Sequence, residues 1–422
     1  MRVLWITNGP FGLLCELAGQ SMPAGGSWLD AAFEALENEK NLELTVITVL
    51  PIKEIIKKKL GNHSFYILPG GFASQYDHSL SENKKIWEKI REECRPDLVQ
   101  IWGTEYAHGY LALQVMKGIP SVIYMQGVMS QIARHYLANM SEKELAESIS
   151  LRDILKFDWI RRRQQKFYRR SSIENEMIRI AGNVIVENEW CESHCKAIAP
   201  DCIAYKSKLT IKKDFYKQEW KAEMIRPYTI MCNATGGYPI KGFHMLLKAM
   251  ELVIRKYSDS KLLIPGEKSP LDKSFFEKLR INGYTKYIIS TIKKLHLENN
   301  IVFLGELTSE QMAEQMASSN VFVMPSSIEN HSSTLIEAMI VGTPCISSYV
   351  GGIPEYLQHN VNGLLYRFEE YEILASHIIK IFDNPAFASG IALNGRAFMR
   401  DSRNASNLKK ELLWIYEKVC NK

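Results

Sequence analysis

Long uninterrupted apolar runs are missing from this chain of 422 residues. The first apolar run, VLWI, is followed at once by Asn8, Gly9 and Pro10. It is too short for the core of a signal peptide and far too short to cross a bilayer, so we expect a first buried strand and a turn. Low-complexity tracts and internal repeats are also missing, which excludes solenoid architectures and argues against extensive disorder.

The sequence also lacks a disulfide framework. Its eight cysteines are scattered along the chain, which favours reduced thiols in a cytoplasm. Three of them lie near a histidine in the segment WCESHCKAIAPDC, as Cys191, His194, Cys195 and Cys202. The spacing fits no common zinc pattern, so we expect a helix with buried thiols and no metal ion there.

A strong overall charge is absent, since the net charge is +5, but the charge is concentrated. Between Arg152 and Arg170, eight cations stand against Asp153 and Asp158. Phe157, Ile160 and Phe167 fall at helical spacing in the same stretch, the pattern of a basic amphipathic helix at an anionic membrane surface. The predicted membrane-facing cations are Arg161, Arg162, Arg163, Lys166, Arg169 and Arg170.

Two alternatives compete with this membrane hypothesis. One is a solvated helix that covers a core. The other is nucleic-acid binding, which ranks lower because no helix-turn-helix, zinc-finger or RNA-binding signature accompanies the charge, and we expect no nucleic-acid partner.

Short apolar runs alternate with helical periodicity, and the length of the chain exceeds what one core usually supports. The pattern predicts an α/β protein with two doubly wound, Rossmann-like parallel sheets in domains that face each other across a cleft. We expect a first domain over residues 1–216, a hinge over 217–226, a second domain over 227–395, and a last segment, 396–422, whose helix returns to the first domain. The expected strands are RVLWIT, LELTVITVL, DLVQIWG, SVIYMQG and NVIVENE, then YTIMCNA, SKLLIPG, NIVFLGE, NVFVMPS and TPCISSY.

Two segments could meet an anion at the ends of such strands. Gly25 and Gly26 precede an amphipathic helix, where backbone amides and the helix dipole would favour a phosphate; a plain turn with Ser27 as N-cap is the alternative. Lys241 and Gly242 follow the strand YTIMCNA, so the lysine ammonium could reach a phosphate there.

The segment SSIENHSSTLIEAM places two carboxylates, Glu329 and Glu337, around a run of small polar residues. A helix is predicted to begin near Ser333 or Thr334. Thr334 and Glu337 fit a capping box, which would explain Glu337 by helix capping alone. No such local rule explains Glu329, whose alternative is a solvated loop carboxylate.

These motifs together resemble the retaining glycosyltransferases of the GT-B fold, specifically glycosyltransferase family four. The run ENHSSTLIE matches that family's E-x7-E signature, and the GGIPE turn at Gly351 to Glu355 follows at the expected place. The segments IKGFHMLLKAM, NIVFLGEL and LLWIYEKV are also similar to the family's. The resemblance covers most of the chain.

The resemblance implies that the domain over residues 1–216 binds the acceptor and that the domain over 227–395 binds the nucleotide sugar, and it implies a role for each residue. Glu337 would bind the ribose hydroxyls of a nucleotide-sugar donor, and Glu329 would stabilise positive charge at the anomeric carbon of the transferred sugar. Lys241 would neutralise the leaving phosphate, so neither a metal ion nor a cofactor is implied, and Gly25 and Gly26 match the family's N-terminal glycine loop. The remaining donor-binding residues would be Gly305, Asn330, His331, Ser332, Ser333, Thr334 and Leu335.

Two positions depart from the family's pattern. Gly236 stands where the family usually has an arginine, five residues before Lys241. Gln126 and Gly127 stand where a histidine-glycine pair is common; Gln126 can hydrogen-bond a sugar hydroxyl but cannot take a proton. His108, like His331, is a further candidate for the cleft.

The sequence therefore predicts a retaining, metal-independent hexosyltransferase that uses a UDP- or GDP-sugar. The expected acceptor is a glycan or lipid-linked glycan of bacterial surface polysaccharide biosynthesis, such as lipopolysaccharide or capsule, with the protein peripheral on the inner face of the cell membrane. The alternatives are a catalytically silent sugar-nucleotide or glycan-binding protein and a sugar-nucleotide epimerase or phosphorylase of similar architecture.

Overall fold

The chain forms two compact units in a computed structural model that describes residues 1–9, 11–20, 27–70, 81–233, 237–266, 268–403 and 405–421. The first unit consists of Met1–Ser130, Tyr168–Ile211 and Arg403–Lys422, and the second consists of Gln131–Phe167 and Lys212–Ser402. Residues 131–167 therefore pack with the second unit, although the sequence pattern placed them in an N-terminal domain.

The first unit contains a sheet in the order β3-β4-β2-β1-β5-β6-β7-β8. Its strands are parallel except for the antiparallel β3–β4 pair. All of the strands expected in this half of the chain are present, whereas β3, β4 and β8 were not predicted. The strands are β1 (Arg2–Thr7), β2 (Glu43–Leu50), β3 (Ile56–Leu60), β4 (His63–Pro69), β5 (Leu98–Trp102), β6 (Ser121–Tyr124), β7 (Asn183–Val186) and β8 (Ile203–Lys206).

The second unit contains an entirely parallel sheet in the order β11-β10-β9-β12-β13-β14. The strands expected here are again present, with β14 in addition. They are β9 (Thr229–Met231), β10 (Lys261–Pro265), β11 (Ile301–Gly305), β12 (Val321–Met324), β13 (Cys345–Ser348) and β14 (Leu364–Tyr366). A parallel sheet buries both faces, and nearly every residue of β9, β10, β12 and β13 is indeed buried.

Helices connect these strands, as parallel pairing requires. The α-helices are α1 (Gly12–Leu17), α2 (Ser27–Leu36), α3 (Ser81–Cys94), α4 (Ala107–Val115), α5 (Met129–His135), α6 (Glu142–Glu147), α7 (Leu151–Lys156), α8 (Ile160–Ala181), α9 (Glu189–Ile198), α10 (Lys213–Lys217), α11 (Phe243–Ile254), α12 (Phe275–Lys278), α13 (Gly283–Lys294), α14 (Ser309–Ala317), α15 (Ser333–Val341), α16 (Tyr371–Asp383), α17 (Pro385–Ser402) and α18 (Ala405–Cys420). Short 3-10 helices occupy Ala222–Met224, Pro239–Lys241 and Ile353–Glu355.

The core of the first unit lies on both faces of its sheet, because successive side chains of a strand point to opposite faces. Val3 and Trp5 belong to one buried cluster, and Leu4 and Ile6 to the other. The last helix, α18, contributes Tyr416 to the first cluster. The Trp5 indole N–H donates a hydrogen bond of 3.0 Å to the Tyr416 hydroxyl, so the two ends of the sequence share this core.

The basic stretch 152–170 does not form a single amphipathic helix, and that expectation was wrong. The helix α7 ends at Lys156, and Phe157 adopts the left-handed conformation with φ of +49°. A new helix, α8, begins at Ile160. The left-handed residue breaks the hydrogen-bond ladder, so the apolar and basic residues on its two sides do not share one helical face.

Within the described residues, no helix combines the length and the apolar character that a membrane span requires.

Candidate active site

The site lies where the chain changes direction within the sheet of the second unit. From β9 the chain continues to β10 and β11 on one side, whereas β12, β13 and β14 follow on the other. The loops after β9 and β12 therefore leave the sheet side by side, the position at which open α/β sheets bind ligands. Lys241 is on the first loop and Glu329 on the second, and the lysine Nζ lies 2.7 Å from the glutamate Oε1.

The two loops are held together through their backbones. The Ser327 N–H donates to the Ile240 carbonyl at 2.8 Å. Gly242 has φ of +69°, and a Cβ on it would lie 1.7 Å from the Pro325 carbonyl oxygen. Only glycine satisfies both conditions, so Gly242 determines how closely Lys241 approaches the loop after β12.

Glu329 is held at both its side chain and its backbone. Its Oε1 accepts a hydrogen bond of 2.7 Å from the Ser326 hydroxyl in addition to the contact with Lys241. Its carbonyl oxygen accepts from the Gly352 N–H at 3.2 Å. Gly351 has φ of +52°, and a Cβ there would lie 1.7 Å from the same oxygen. The carboxylate is only 11% exposed, so it is not a solvated loop residue.

The helix after Glu329 has a different cap from the one predicted. Ser332 is the N-cap residue of α15, and its hydroxyl accepts from the Leu335 N–H at 3.3 Å. The Thr334–Glu337 capping box is wrong, because the third helical residue is Leu335. In the described part of the chain the N–H groups of Ser333 and Thr334 have no acceptor, so this helix end can bind an anion.

Glu337 is buried on the second turn of this helix. Glu337 is 8% exposed, and burial raises the pKa of its carboxyl to about 7. The positive charge of Lys212 lowers this pKa and so opposes the effect of burial. No described residue forms a hydrogen bond with this carboxylate, so its acceptor capacity is available to a ligand that brings hydroxyl donors. Capping no longer explains Glu337.

The remaining predicted donor-site residues of the second unit surround this helix end. Asn330 and Ser332 are buried, His331 is partly buried, and Gly305 ends β11 with φ of +71°. The Thr334 hydroxyl accepts a hydrogen bond of 3.1 Å from the Asn233 amide, which links the helix to the end of β9.

Sequence reasoning missed three residues of this region: Lys212, Asn233 and Ser326. Lys212 acts on Glu337 by its charge, and the signal for it was weak because it lies in a lysine-rich stretch without periodicity. Asn233 and Ser326 each follow a buried strand by no more than two residues, a position that could have identified both.

Three of the predicted positions lie outside the described residues: Gly25, Gly26 and Gly236. Gln126 is in the first unit, two residues after β6, and is partly buried. His108 is also in the first unit; its ring Nε2 hydrogen-bonds the Thr7 carbonyl at 3.1 Å, and burial lowers its pKa to about 4. That geometry describes a neutral core histidine.

The predicted membrane-facing cations are not equivalent. Arg163 is only 13% exposed at its side chain, lies 3.1 Å from Asp158 and stacks over the Tyr238 ring. Arg170 is also partly buried, whereas the other four cations are exposed or nearly so. These four are Arg161, Arg162, Lys166 and Arg169.

Two of the three thiols near His194 lie on a helix, and all three are buried, as the sequence predicted. Cys191 and Cys195 lie on α9 and are buried in the core of the first unit together with Cys202. Over the described ranges, no group of three or more histidine, cysteine, aspartate or glutamate side chains is arranged to hold a metal ion.

Comparison with known proteins extends these observations. Residues 213–398 match the family model described as Glycosyl transferases group 1. N-acetyl-alpha-D-glucosaminyl L-malate synthase of Bacillus anthracis is 29% identical over 132 residues, which cover 31% of this chain and 34% of that protein. A GDP-mannose-dependent monoacylated alpha-(1-6)-phosphatidylinositol monomannoside mannosyltransferase of Corynebacterium glutamicum is 28% identical over 177 residues, covering 40% and 41%.

A third relative is the amylovoran biosynthesis glycosyltransferase AmsK of Erwinia amylovora, 28% identical over 130 residues that cover 29% of this chain and 32% of that protein. The chain spans less than half the length of the curated relatives it matches. Residues 213–398, which lie in the second unit, are therefore similar to group 1 glycosyl transferases and to proteins named as glycosyltransferases.

Solved structures match over nearly the whole chain. Sucrose-phosphate synthase from Thermosynechococcus elongatus has a TM-score of 0.74 and 16% identity, covering 99% of both chains. HepE of Anabaena in complex with UDP-glucose has a TM-score of 0.68 and 16% identity, covering 99% of this chain and 100% of that chain. At this identity the likeness concerns the fold alone, and it confirms the predicted GT-B type of α/β protein with two parallel sheets.

Proposed function

We propose that this protein is a retaining glycosyltransferase that transfers a sugar from a UDP- or GDP-sugar to a glycan or lipid-linked acceptor in bacterial surface polysaccharide biosynthesis. The observation that carries the proposal is the pair of Lys241 and Glu329, 2.7 Å apart at the point where the second sheet reverses its strand order. When a sugar leaves its diphosphate, positive charge develops on the anomeric carbon and negative charge on the departing phosphate. A carboxylate and a cation in contact at this edge of the sheet would stabilise these two charges.

Donor binding would use the first turn of α15. The N–H groups of Ser333 and Thr334 and the ammonium of Lys241 are the groups that a diphosphate requires. Glu337 would accept hydrogen bonds from the ribose hydroxyls. The match of residues 213–398 to a glycosyltransferase family supports this assignment. HepE, whose fold this chain shares, has been solved with UDP-glucose.

In the proposed reaction the bond between the anomeric carbon and the leaving phosphate oxygen breaks, and the acceptor oxygen bonds to the same face of that carbon. The proton of the acceptor hydroxyl passes to the departing phosphate. Lys241 would neutralise the charge of that phosphate, and Glu329 would stabilise the positive charge on the sugar. This sequence of steps needs no metal ion and no protein base, which agrees with glutamine at position 126.

The ion pair has a consequence for the order of events. Without donor, Lys241 and Glu329 satisfy each other. A bound diphosphate would compete for the ammonium, so donor binding would release the carboxylate toward the sugar. We place this activity at the inner face of the cell membrane, where lipid-linked acceptors are presented.

A donor screen with the Glu329→Ala variant tests the proposal. Nucleotide release from several UDP- and GDP-sugars would identify the donor, and NMR of the product would give its anomeric configuration. We expect Glu329→Ala to lower turnover by about 10²- to 10³-fold and to leave nucleotide affinity unchanged or slightly higher. A matched control is Glu369→Ala, which removes a carboxylate paired with Arg367 at the surface of the same unit.

The outcomes are distinct. Unchanged turnover in Glu329→Ala would refute the catalytic assignment. Nucleotide binding without transfer to any acceptor would favour a sugar-nucleotide-binding protein, and a changed sugar without transfer would favour an epimerase.

A further inference from the structure

An exposed apolar patch lies in the second unit, on a segment far in sequence from Lys241 and Glu329. Five large apolar side chains within nine residues are exposed, and they surround α7. Their exposed fractions are Ile149 37%, Leu151 53%, Ile154 56%, Leu155 72% and Phe157 66%. We call these five residues the α7 patch. Single exposed apolar residues are normal, but a contiguous group of this kind marks an interaction surface.

The α7 patch is directed outward because polar residues anchor the helix from its inner side. Asp153 is buried and accepts a hydrogen bond of 2.7 Å from the Gly283 N–H. The Ser150 hydroxyl donates to the Ile281 carbonyl at 2.9 Å. A Cβ on Gly283 would lie 1.5 Å from the Ser148 carbonyl oxygen, so the start of α13 approaches the segment before α7 as closely as backbone allows. The usual arrangement of an amphipathic helix is therefore reversed in α7, because polar residues face the protein and apolar residues are exposed.

Phe157 adds to this arrangement. It is held with φ of +49°, a conformation that is costly for a bulky residue, and it keeps most of its ring surface exposed. A bulky residue persists in this conformation where the surrounding structure holds it there. Here the surrounding structure is the capped helix α7 and the pairing of Asp158 with Arg163 and Lys166.

Cations surround the apolar side chains. Lys286 donates to the Ile149 carbonyl at 2.9 Å, and the exposed Lys156 lies on α7 itself, where Arg152 is already paired with Asp153 and Asp158. Lys278 and Arg280 are exposed on the segment that leads to Ile281. Over residues 147–157 and 277–286 the exposed cations are Lys156, Lys278, Arg280 and Lys286 and the exposed acids are Glu147 and Glu277, so positive charge predominates over these two segments.

We propose that the α7 patch docks this protein onto an anionic lipid bilayer. Apolar side chains that enter the acyl boundary, with lysine and arginine at headgroup level, are the pattern of interfacial membrane helices. The cores of protein–protein interfaces are enriched in aromatic residues and depleted of charged ones. The α7 patch instead has four aliphatic residues and one aromatic residue, with cations around them. The charge complementarity therefore favours lipid.

This surface differs from the one that the sequence pattern indicated. Of the predicted cations, Arg161 is paired with Glu142 and Lys166 with Asp158, and neither lies on the helix that bears the exposed apolar residues. The inference rests on the proposed function, which supplies the reason for the protein to approach a membrane. It deepens that function by assigning the membrane contact to the second unit.

Co-sedimentation of the full chain with vesicles tests the inference. Phosphatidylcholine vesicles with and without phosphatidylglycerol are the probes, and binding is expected only with the anionic lipid and should weaken as salt is raised. The double variant Leu155→Ser, Phe157→Ser should lose about tenfold or more in partitioning, because both side chains leave water on insertion. The matched control is Leu393→Ser, which removes an apolar side chain that is 66% exposed on α17 of the same unit.

UDP binding measured on the same preparations shows that the variants are folded and separates this inference from the proposed function. Vesicle binding that the double variant retains would overturn the inference, as would absence of binding by the unmodified chain. If the unmodified chain self-associates but does not bind vesicles, and the double variant does not self-associate, the patch is an interface between copies of this chain. That result would also overturn the inference.

Discussion

Replacing Glu337 with glutamine should remove a pH dependence from nucleotide binding. The residue is almost fully buried on α15, and burial raises its carboxyl pKa from 4.5 to about 7. A ribose with two hydroxyl donors prefers the ionised form, which accepts both hydrogen bonds. Binding should therefore require the carboxyl to lose its proton, and protons should compete with the nucleotide near neutral pH.

The magnitude follows from the pKa. With a value of about 7, roughly nine tenths of the free protein is ionised at pH 8 and roughly one tenth at pH 6. If only the ionised form binds, affinity should fall about tenfold between pH 8 and pH 6, which is about 1.4 kcal/mol. A glutamine at this position has no proton to lose, so its affinity should lack this dependence on pH.

Stability should respond to pH with the corresponding sign. The folded-state pKa is above the unfolded value, so the folded protein holds the proton more tightly and loses stability as pH rises from about 4.5 to about 7. Above pH 7 this penalty is constant at about 3 kcal/mol. Glu337→Gln should therefore be more stable than the unmodified chain at pH 8, by up to that amount, and nearly equal to it at pH 4.

Isothermal titration with UDP, and with GDP in parallel, measures the effect. The terminal phosphate of the nucleotide also titrates near pH 6, so the informative quantity is the affinity of the unmodified chain divided by that of the glutamine variant at each pH. That ratio should rise about tenfold from pH 6 to pH 8. A ratio that stays constant across this interval would refute the assignment of Glu337 to the ribose.

Two further changes test the supports of the fold and the site. Gly351→Ala places a Cβ 1.7 Å from a backbone oxygen of the loop after β12, so nucleotide-release assays should show a loss of turnover of about tenfold or more. The control variant is Gly390→Ala, which should leave turnover unchanged because a Cβ there would meet nothing within 4 Å. An equal effect of both would contradict the positioning role. In the first unit, Arg403→Met removes the cation paired with the buried carboxylate of Glu187, which still accepts a hydrogen bond from the Tyr124 hydroxyl. The change should cost about 3 kcal/mol in urea unfolding, against less than about 1 kcal/mol for Lys409→Ala, whose ion pair is partly exposed.

The strands that the sequence predicted are buried on both faces, except for β11, which lies at the edge of its sheet. Runs such as RVLWIT and NVFVMPS are apolar almost without interruption because neighbouring strands and helices cover them. The strand β3 was missed because it reads IKKKL and is exposed at an edge, where lysines discourage pairing with other chains. The strand β14 has only three residues, too few to show a period.

Within the candidate site, sequence located the motifs but not their local contacts. Three consecutive residues, Ser332, Ser333 and Thr334, can each cap a helix, and only the backbone decides that the first of them does. The resemblance placed Lys241 and Glu329 in one site, yet no sequence pattern states that they form an ion pair. Arg163 was assigned to a membrane surface because a charge pattern does not reveal that a carboxylate and an aromatic ring already hold it.

The division of the chain into interleaved segments constrains how the protein can be synthesised and dissected. The first unit is made from three separate stretches, and its core hydrogen bond between Trp5 and Tyr416 joins residues 411 positions apart. The ribosome adds Tyr416 411 residues after Trp5, so the first strand must wait until all of the intervening residues have been translated before its core is complete. Cutting the chain between Ile211 and Lys212 would leave one fragment without α18 and the other without residues 131–167. Neither fragment contains a complete unit, and exchange of the second unit between relatives would have to transfer two segments together.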